Sequence, residues 1–296
     1  MLSPDLHATV AAWYTVNARD LPWRRPGTTA WGVLVSEVMS QQTPVARVAP
    51  VWEAWMSRWP RPEDLAGASP ADVLRAWQRL GYPRRALRLR ECAAAVVERF
   101  GGAVPTTEEE LVSLPGVGAY TAAAVASFAH RRRALVLDTN VRRVLGRVAE
   151  GRALPPPGLT VAERARAAEL LPAEPALSVR WNEGLMELGA LVCTARSPRC
   201  DACPLADRCR WLLAGSPPDE HSARRRTQRW HGTDRQARGR VMARLRELPD
   251  DGDLAQEELL APLGMADPEQ PRRALASLLA DGLVAERGPG RYGLPR

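Results

Sequence analysis

The sequence predicts an all-α protein with a small α+β region at its C-terminal end. Apolar residues recur with helical spacing from the start of the chain to about residue 213, and alternating strand patterns are scarce there. After residue 222, three helical segments precede a short hairpin that turns at Gly288-Pro289-Gly290. With 296 residues and 45% apolar content, the chain is long enough for about two domains with packed cores.

The helices of the first part can be placed from their apolar spacing and from the residues that stop them. Pro22 prevents helical continuation in a turn-like segment over residues 19–24, and Pro44 closes the second helix. Thr107 and Glu110 stand at the spacing of a capping box. The predicted helices span residues 4–17, 31–43, 45–59, 70–80, 84–100 and 107–113.

The last part of the chain is organised differently. Residues 215–220 form a proline-containing linker, and we expect the basic stretch from Arg224 to Arg229 either to contact backbone phosphate or to form a solvated face. The order of the elements that follow resembles a winged helix, although similar small patterns also serve protein contacts. Helices are predicted over residues 238–248, 257–263 and 268–280, and a hairpin over residues 283–294.

Charge and composition favour a nucleic-acid partner. The net charge is +7 and the isoelectric point is near 9.8, as suits a protein that neutralises phosphates. All 41 basic residues are arginine, so no lysine side chain can form a Schiff base. No apolar run approaches the roughly 20 residues that span a bilayer, and the first residues do not resemble a signal peptide. We therefore expect a cytoplasmic, nucleoid-associated protein.

Four cysteines, Cys193, Cys200, Cys203 and Cys209, stand at the spacing C-x6-C-x2-C-x5-C. A compact loop with this spacing can place four thiolates around one iron–sulfur cluster. Zinc is the alternative, but zinc sites usually pair two short C-x2-C hooks, and only one is present. Disulfides would require an oxidising compartment. Cys92, in a helix rich in arginine and alanine, is predicted to be a small buried apolar residue.

Residues 114–121, Leu-Pro-Gly-Val-Gly-Ala-Tyr-Thr, have the pattern of a helix-hairpin-helix turn. Gly116 and Gly118 permit backbone conformations and close approaches that a side chain would block. The helix that begins at Ala119 presents free amides, which bind phosphate without reading sequence. A lone G-x-G between helices is usually only a tight hairpin. The position of this turn before Asp138, a candidate catalytic residue, favours the phosphate-binding hairpin over a purely structural turn.

Glu37 and Asp138 are candidates for a carboxylate pair. Asp138 follows an apolar run and precedes a helical pattern, so it is predicted to cap a helix, where the helix dipole and backbone donors should lower its pKa. Glu37 lies among apolar residues of a helix, where burial should raise its pKa. One protonated and one ionised carboxyl group are what cleavage of a glycosidic bond requires.

Five motifs occur together in the order found in MutY-type adenine DNA glycosylases, which the chain resembles over about residues 8–213. They are Ser36 to Thr43, Leu80 to Tyr82, Leu114 to Thr121, Asp138 to Val141 and the cysteine loop. The resemblance implies a helix-hairpin-helix glycosylase fold with a six-helix barrel domain and a [4Fe-4S] cluster domain. The implied partner is double-stranded DNA in which adenine is mispaired with 8-oxoguanine or guanine, bound by a monomer. The expected domains cover residues 20–133 (barrel), 1–19 with 134–215 (cluster) and 222–296 (winged-helix-like).

The resemblance also assigns roles to residues. Glu37 would protonate adenine N7 and later activate water, while Asp138 would stabilise or covalently trap the oxocarbenium sugar with help from Tyr120 and Asn140. Gly116 and Gly118 would contact the DNA backbone, and the four cysteines would hold the cluster. Gln42 and Tyr82 resemble residues inserted into the duplex, and the lesser alternative for Tyr82 is a core tyrosine. Trp23 is explained equally well as a core residue. The full set of implied substrate-binding residues is Leu21, Trp23, Arg24, Gln41, Gln42, Thr43, Tyr82 and Glu183.

The chain departs from its relatives at several positions. Tyr120 stands where endonuclease III-like enzymes carry a lysine, which implies a monofunctional glycosylase without lysine-dependent lyase activity. Thymine/uracil–guanine mismatch glycosylases and a non-catalytic iron–sulfur DNA-binding regulator are the alternatives. Thr139 and Ser40 replace the commoner glycine and leucine. The 87 residues after Cys209 are too few for the usual NUDIX-like domain, so we expect the C-terminal region to add only non-specific affinity for the DNA backbone.

Overall fold

The computed structural model describes residues 4–224 and 230–296 and confirms the predicted helical fold. A 3-10 turn at Pro22–Arg24 occupies the predicted turn-like segment, and a π-helical turn at Gly146–Glu150 extends one helix. The helices are α1 (Pro4–Asn17), α2 (Ala30–Ser40), α3 (Val45–Arg58), α4 (Pro62–Ala66), α5 (Pro70–Ala76), α6 (Arg84–Phe100), α7 (Glu108–Val112), α8 (Ala119–Phe128), α9 (Thr139–Leu145), α10 (Val161–Leu170), α11 (Pro175–Leu191), α12 (Arg210–Leu213), α13 (Asp234–Glu247), α14 (Gln256–Leu260) and α15 (Gln270–Ala280).

Two predicted helices end earlier than expected. The second ends at Ser40 rather than Thr43, and the fourth at Ala76 rather than Leu80. In each case a glutamine just beyond the end has a positive φ, 54° at Gln42 and 50° at Gln78. A right-handed helix cannot continue through that conformation. These backbone turns, which apolar spacing does not reveal, set the ends of α2 and α5.

Contacts between residues divide the described chain into two compact units. The first contains residues 4–37, 106–113 and 117–224, and the second contains residues 38–105, 114–116 and 230–296. The three domains expected from the sequence stay a prediction. The basic stretch from Arg224 to Arg229 lies outside the described residues, apart from the backbone of Arg224.

The core of the first unit forms where α1 packs on α11. Leu6 and Val10 of α1 and Leu185 and Leu188 of α11 are almost completely buried, which stabilises the fold by about 1.5–3 kcal/mol per side chain. Gly184 makes the close packing possible, since a Cβ there would lie 2.5 Å from Val10 Cγ1. The predicted helix over residues 4–17 is thereby fixed against the helix that carries the residues before Cys193.

The core of the second unit contains a cluster of tryptophans. The rings of Trp55 and Trp59 are 4.9 Å apart, and those of Trp55 and Trp77 are 5.5 Å apart, both in edge-on geometry. Trp55 Nε1 donates a hydrogen bond to Ala76 O at 2.9 Å, and Trp77 Nε1 donates one to Gly81 O at 2.9 Å. The cluster therefore fixes the end of α5 and the segment that leads to α6. Cys92 is buried in α6, as predicted.

Residues 230–296 have the winged-helix-like order that the sequence predicts. Helices α13, α14 and α15 are accompanied by a small antiparallel sheet with strand order β1-β3-β2. Val241, Leu245, Leu275 and Leu278 form the core between α13 and α15. The first strand is only two residues long and was not predicted from the sequence. The strands are β1 (Leu254–Ala255), β2 (Ala285–Gly288) and β3 (Arg291–Gly293).

Across the described residues, none of the helices combines the length and the apolar character needed to cross a membrane.

Candidate active site and cluster loop

Glu37, near the end of α2, is one of the few buried charged residues of the first unit. Its side chain is 8% exposed, and the Tyr120 hydroxyl donates a hydrogen bond to Glu37 Oε2 at 3.0 Å. Burial, with a smaller contribution from the nearby Asp138 charge, raises the pKa of Glu37 to about 7, although the Tyr120 hydrogen bond and the Arg24 charge oppose the rise. The predicted direction is confirmed, and this carboxyl group can carry a proton near neutral pH.

Asp138 caps α9, as predicted. Its Oδ1 accepts a hydrogen bond from Val141 N at 2.6 Å, and its Oδ2 accepts one from Asn140 Nδ2 at 2.8 Å. The prediction that its pKa is lowered was wrong: desolvation raises the pKa above the usual aspartate value, although the backbone and amide donors and the Arg143 charge oppose it. The cap geometry was local and predictable, but the burial was not.

Asn140 is held by residues that the sequence analysis did not single out. Arg143 Nη2 donates to Asn140 Oδ1 at 2.8 Å and to Gly189 O at 2.7 Å, and Arg143 Nε donates to Cys193 O at 2.7 Å. A Cβ at Gly189 would lie 2.6 Å from Asn140 Cβ. Gly189 therefore allows α9 and α11 to approach closely, and Arg143 connects Asn140 to the backbone of the cysteine loop.

Four of the predicted substrate-binding residues belong to the first unit: Leu21, Trp23, Arg24 and Glu183. Leu21 and Trp23 are buried, whereas Arg24 is half-buried and donates from Nη1 to Glu187 Oε2 at 3.0 Å. Glu183 forms an ion pair with Arg131, with 3.2 Å between Oε1 and Nη1.

Glu187, which the sequence analysis missed, is a fully buried carboxylate that Arg19 also contacts, through Nε at 2.6 Å. The Arg19 hydrogen bond and the charges of Arg19 and Arg24 hold the pKa of Glu187 below its ordinary value, although burial acts in the opposite direction. Glu187 therefore stays ionised and fixes the position of Arg24.

The remaining predicted substrate-binding residues belong to the second unit. Gln42 is exposed, Gln41 and Tyr82 are half-buried, and Thr43 is buried and donates from Oγ1 to Leu80 O at 3.0 Å. Tyr82 has a positive φ of 47°, an uncommon conformation for a residue other than glycine.

Arg85, which the sequence analysis also missed, joins the two segments that carry these residues. Its Nη1 donates to Val38 O at 2.9 Å and to Gln41 O at 2.5 Å. Its Nη2 contacts Thr43 Oγ1 and Gly81 O, both at 3.1 Å. One guanidinium therefore orders residues 41–43 and residues 81–82 together.

The two glycines of the hairpin have different conformations. Gly116 has a φ of +77°, and a Cβ there would lie 3.1 Å from Arg88 Cβ. Gly118 is the N-cap of α8 with an extended φ of −92°, and among the described residues no atom beyond its neighbours along the chain lies within 4 Å of the position that a Cβ would take. Gly116 is thus required by the turn itself, whereas Gly118 leaves open space beside the first amides of α8.

The four cysteines of the loop after α11 line one pocket. Arg147, which is 2% exposed, donates from Nη1 to Cys193 Sγ at 3.2 Å and lies over the Trp211 ring at 4.5 Å. Such a buried cation suits a thiolate ligand. In the residues that the structure describes, no three His, Cys, Asp or Glu side chains converge closely enough to hold a single metal ion. Four thiolates around one pocket are the donor set of an iron–sulfur cluster.

Comparisons with known proteins identify the family to which the chain belongs. Residues 35–169 match the HhH-GPD superfamily of base excision DNA repair proteins, and residues 193–209 match the iron–sulfur binding domain of endonuclease III. The structure is similar to that of a thermostable thymine-DNA glycosylase, with a TM-score of 0.64 and 27% identity over 71% of this chain and 96% of that one.

Curated relatives cover nearly the whole chain. An adenine DNA glycosylase of Mycolicibacterium smegmatis is 50% identical over 96% of this chain and 94% of its own length. One of Mycobacterium tuberculosis is 50% identical over 96% of this chain and 91% of its own length. The protein therefore belongs to the adenine DNA glycosylase family, base excision repair enzymes that hydrolyse an N-glycosidic bond and hold a [4Fe-4S] cluster.

Proposed function

We propose that the protein excises adenine mispaired with 8-oxoguanine or guanine in double-stranded DNA, as a monomer and without lyase activity. The observation that carries this proposal is the buried Glu37 carboxyl group, whose pKa of about 7 lets it donate a proton at neutral pH. Family membership supports adenine as the base, since the relatives are adenine DNA glycosylases.

The chemistry begins when Glu37 protonates N7 of the flipped adenine. The electron pair of the N-glycosidic bond then leaves with the base, and positive charge develops on the sugar. Asp138 stabilises or covalently traps this oxocarbenium ion, held by Val141 N and Asn140. Glu37, now ionised, takes a proton from the water that adds to the sugar. Tyr120 keeps the carboxyl group of Glu37 oriented for both steps.

Binding to the duplex involves the hairpin and the segments joined by Arg85. The open space at Gly118 allows a phosphate to approach the first amides of α8, and its binding there does not depend on sequence. Gln42 and Tyr82 enter the duplex beside the base opposite adenine, as the resemblance implies. Cys193, Cys200, Cys203 and Cys209 would hold the cluster, which when bound would fix the loop so that arginines such as Arg196 and Arg199 can contact phosphate.

The absence of lysine accounts for the monofunctional reaction. A lyase step would require an amine to form a Schiff base with the sugar, and Tyr120 offers only a phenol with a pKa well above its ordinary value. After the base is removed, the abasic strand should stay intact until alkali cleaves it. Borohydride should trap little or no protein–DNA adduct, and efficient trapping would contradict this part of the proposal.

A panel of duplexes tests the proposed substrate. Single-turnover base release is measured with adenine opposite 8-oxoguanine, guanine or thymine, and with thymine or uracil opposite guanine. The last two address the thymine-DNA glycosylase that the structure resembles. We expect adenine release from the first two duplexes, and preferential release of thymine or uracil would overturn the proposal. Glu37→Gln and Asp138→Asn should abolish release while duplex binding persists, and the exposed Asp20→Asn serves as the matched control.

A further inference from the structure

Tyr82 contacts a residue of the C-terminal winged-helix-like module, residues 230–296. The Arg235 guanidinium, at the start of α13, lies 4.4 Å from the centre of the Tyr82 ring and 5.2 Å from that of Trp230. Trp230 is 46% exposed. A planar cation over aromatic rings is attracted to both of them.

The module is anchored to α5 and α6 at several points, which fixes where Arg235 can lie. The anchors are hydrogen bonds and ion pairs distributed over α13, the segment after α13 and the residue that follows α15. They are Arg246 Nε to Leu74 O at 3.0 Å, Arg75 Nη1 to Asp250 Oδ1 at 2.9 Å, Arg75 Nη2 to Pro249 O at 2.9 Å, and Arg84 Nη1 to Asp281 Oδ1 at 3.2 Å. The contact of Arg235 with Tyr82 therefore follows from the placement of the whole module.

Tyr82 itself is held in an unfavourable backbone conformation. Its φ of 47° lies in the left-handed region, which is strained for a residue with a Cβ. Trp77 and Arg85 secure the preceding Gly81 through hydrogen bonds to its carbonyl, and Arg85 also lies 5.5 Å from the Tyr82 ring. The ring thus has two guanidinium neighbours, and the one from α13 is the closer.

A half-buried ring beside planar cations has the chemistry of a stacking platform for an unpaired base. Bases stack on aromatic and guanidinium planes, and the positive charge attracts the neighbouring phosphates. Removing Arg235 would leave the Tyr82 ring without its closest cationic neighbour.

We propose that Arg235 is a positioning residue for Tyr82, so that the winged-helix-like module takes part in selecting the base opposite adenine. The inference rests on the proposed function and adds to it that 8-oxoguanine is preferred to guanine opposite adenine. It departs from the expectation that the C-terminal region adds only non-specific affinity.

The test measures selectivity rather than affinity alone. Dissociation constants are determined for duplexes with adenine opposite 8-oxoguanine and opposite guanine, using a 2′-fluoro adenosine that resists excision. The full-length wild type is compared with Arg235→Ala and with Arg272→Ala. Arg272 is an exposed arginine of the same module whose ion pair lies within α15 and its N-cap. We expect Arg235→Ala to reduce the preference for 8-oxoguanine about three- to tenfold, as loss of one cation–π contact predicts. Arg272→Ala should leave the preference unchanged.

A double-mutant cycle tests whether Arg235 affects the preference for 8-oxoguanine through Tyr82. In a Tyr82→Leu background, Arg235→Ala should change the preference less than twofold, because its partner ring is gone. Arg235→Lys, which keeps the charge but not the plane, should restore only part of the preference. Equal losses for both duplexes in Arg235→Ala and Arg272→Ala, or additive effects with Tyr82→Leu, would overturn the inference.

Failure of the proposed function is recognised separately. A wild type that releases adenine from neither duplex would contradict the proposed substrate, whereas one that releases it from both without preferring 8-oxoguanine would overturn only the part of the module in base selection. The coupling between Arg235 and Tyr82 would then be read from affinity for the guanine-containing duplex, where additivity would overturn the positioning role. Thermal unfolding of each variant shows whether the module stays folded, and the Arg235→Lys protein supports the comparison if the alanine variant unfolds.

Discussion

The pH dependence of base excision follows from the surroundings of Glu37. Burial raises its pKa to about 7, and only the protonated carboxyl group can donate to adenine. The protonated fraction is then about one half at pH 7, one tenth at pH 8 and one hundredth at pH 9. We expect the excision rate to fall roughly tenfold per pH unit above about pH 8. Asp138 must be ionised, and its raised pKa predicts an acidic limb above the usual aspartate range.

Tyr120→Phe should shift the fall of the excision rate at basic pH to a higher pH. The Tyr120 hydroxyl donates to Glu37 Oε2 at 3.0 Å and so favours the ionised carboxylate. A hydrogen bond to a charged group contributes about 1.5–3 kcal/mol, and one pKa unit corresponds to about 1.4 kcal/mol. Removing the hydroxyl should therefore raise the pKa of Glu37 by about one to two units and extend activity to higher pH.

The assay is single-turnover adenine release with enzyme in excess, from pH 5.5 to 9.5 at constant ionic strength. Tyr292→Phe, which removes a half-buried phenol from the C-terminal sheet, is the matched control and should keep the wild-type midpoint. The plateau of the curve of rate against pH shows whether Glu37 has lost its orientation, and the midpoint of the basic limb gives the pKa of Glu37. A wild-type rate that stays constant between pH 7 and 9, or a Tyr120→Phe midpoint that moves downwards, would refute the reasoning.

Three further predictions concern stability, the hairpin and the cluster. The pKa of Glu37 rises from 4.5 to about 7 on folding, so the wild-type protein should lose about 3 kcal/mol of stability as the pH rises between those values. The inactive variant Glu37→Gln should therefore be more stable than the wild type at pH 8 but not at pH 4.5. Urea unfolding at the two pH values measures the difference. Gly116→Ala should destabilise the protein by about 1–2 kcal/mol, because residue 116 has a positive φ. Gly118→Ala should leave the melting temperature unchanged, because there is room for a Cβ at residue 118, but the added methyl group should weaken duplex binding. Purified protein should contain about four iron and four sulfide ions per chain, and stoichiometric zinc without sulfide would contradict this.

The sequence alone identified features that depend on neighbours along the chain. The spacing of the four cysteines specifies one loop, and the cavity they line agrees with it. Asp138 caps α9 because an aspartate before a helical pattern finds the free amide of Val141. The positive φ of Gly116 follows from the hairpin pattern. The order of elements in residues 230–296 was likewise predictable, apart from the two-residue strand β1.

The tertiary structure decided what depends on residues distant in sequence. The direction of the Asp138 pKa was predicted wrongly because desolvation depends on what packs over the carboxyl group, and helix periodicity does not report that. Arg85, Arg143 and Glu187 were missed for the same reason, since each contacts groups 40 or more residues away, at positions where nothing in the local sequence distinguishes them. Arg235 meets Tyr82 only because the folded module is anchored beside it. Local rules fix caps and turns, whereas burial and long-range contacts exist only once the chain has folded.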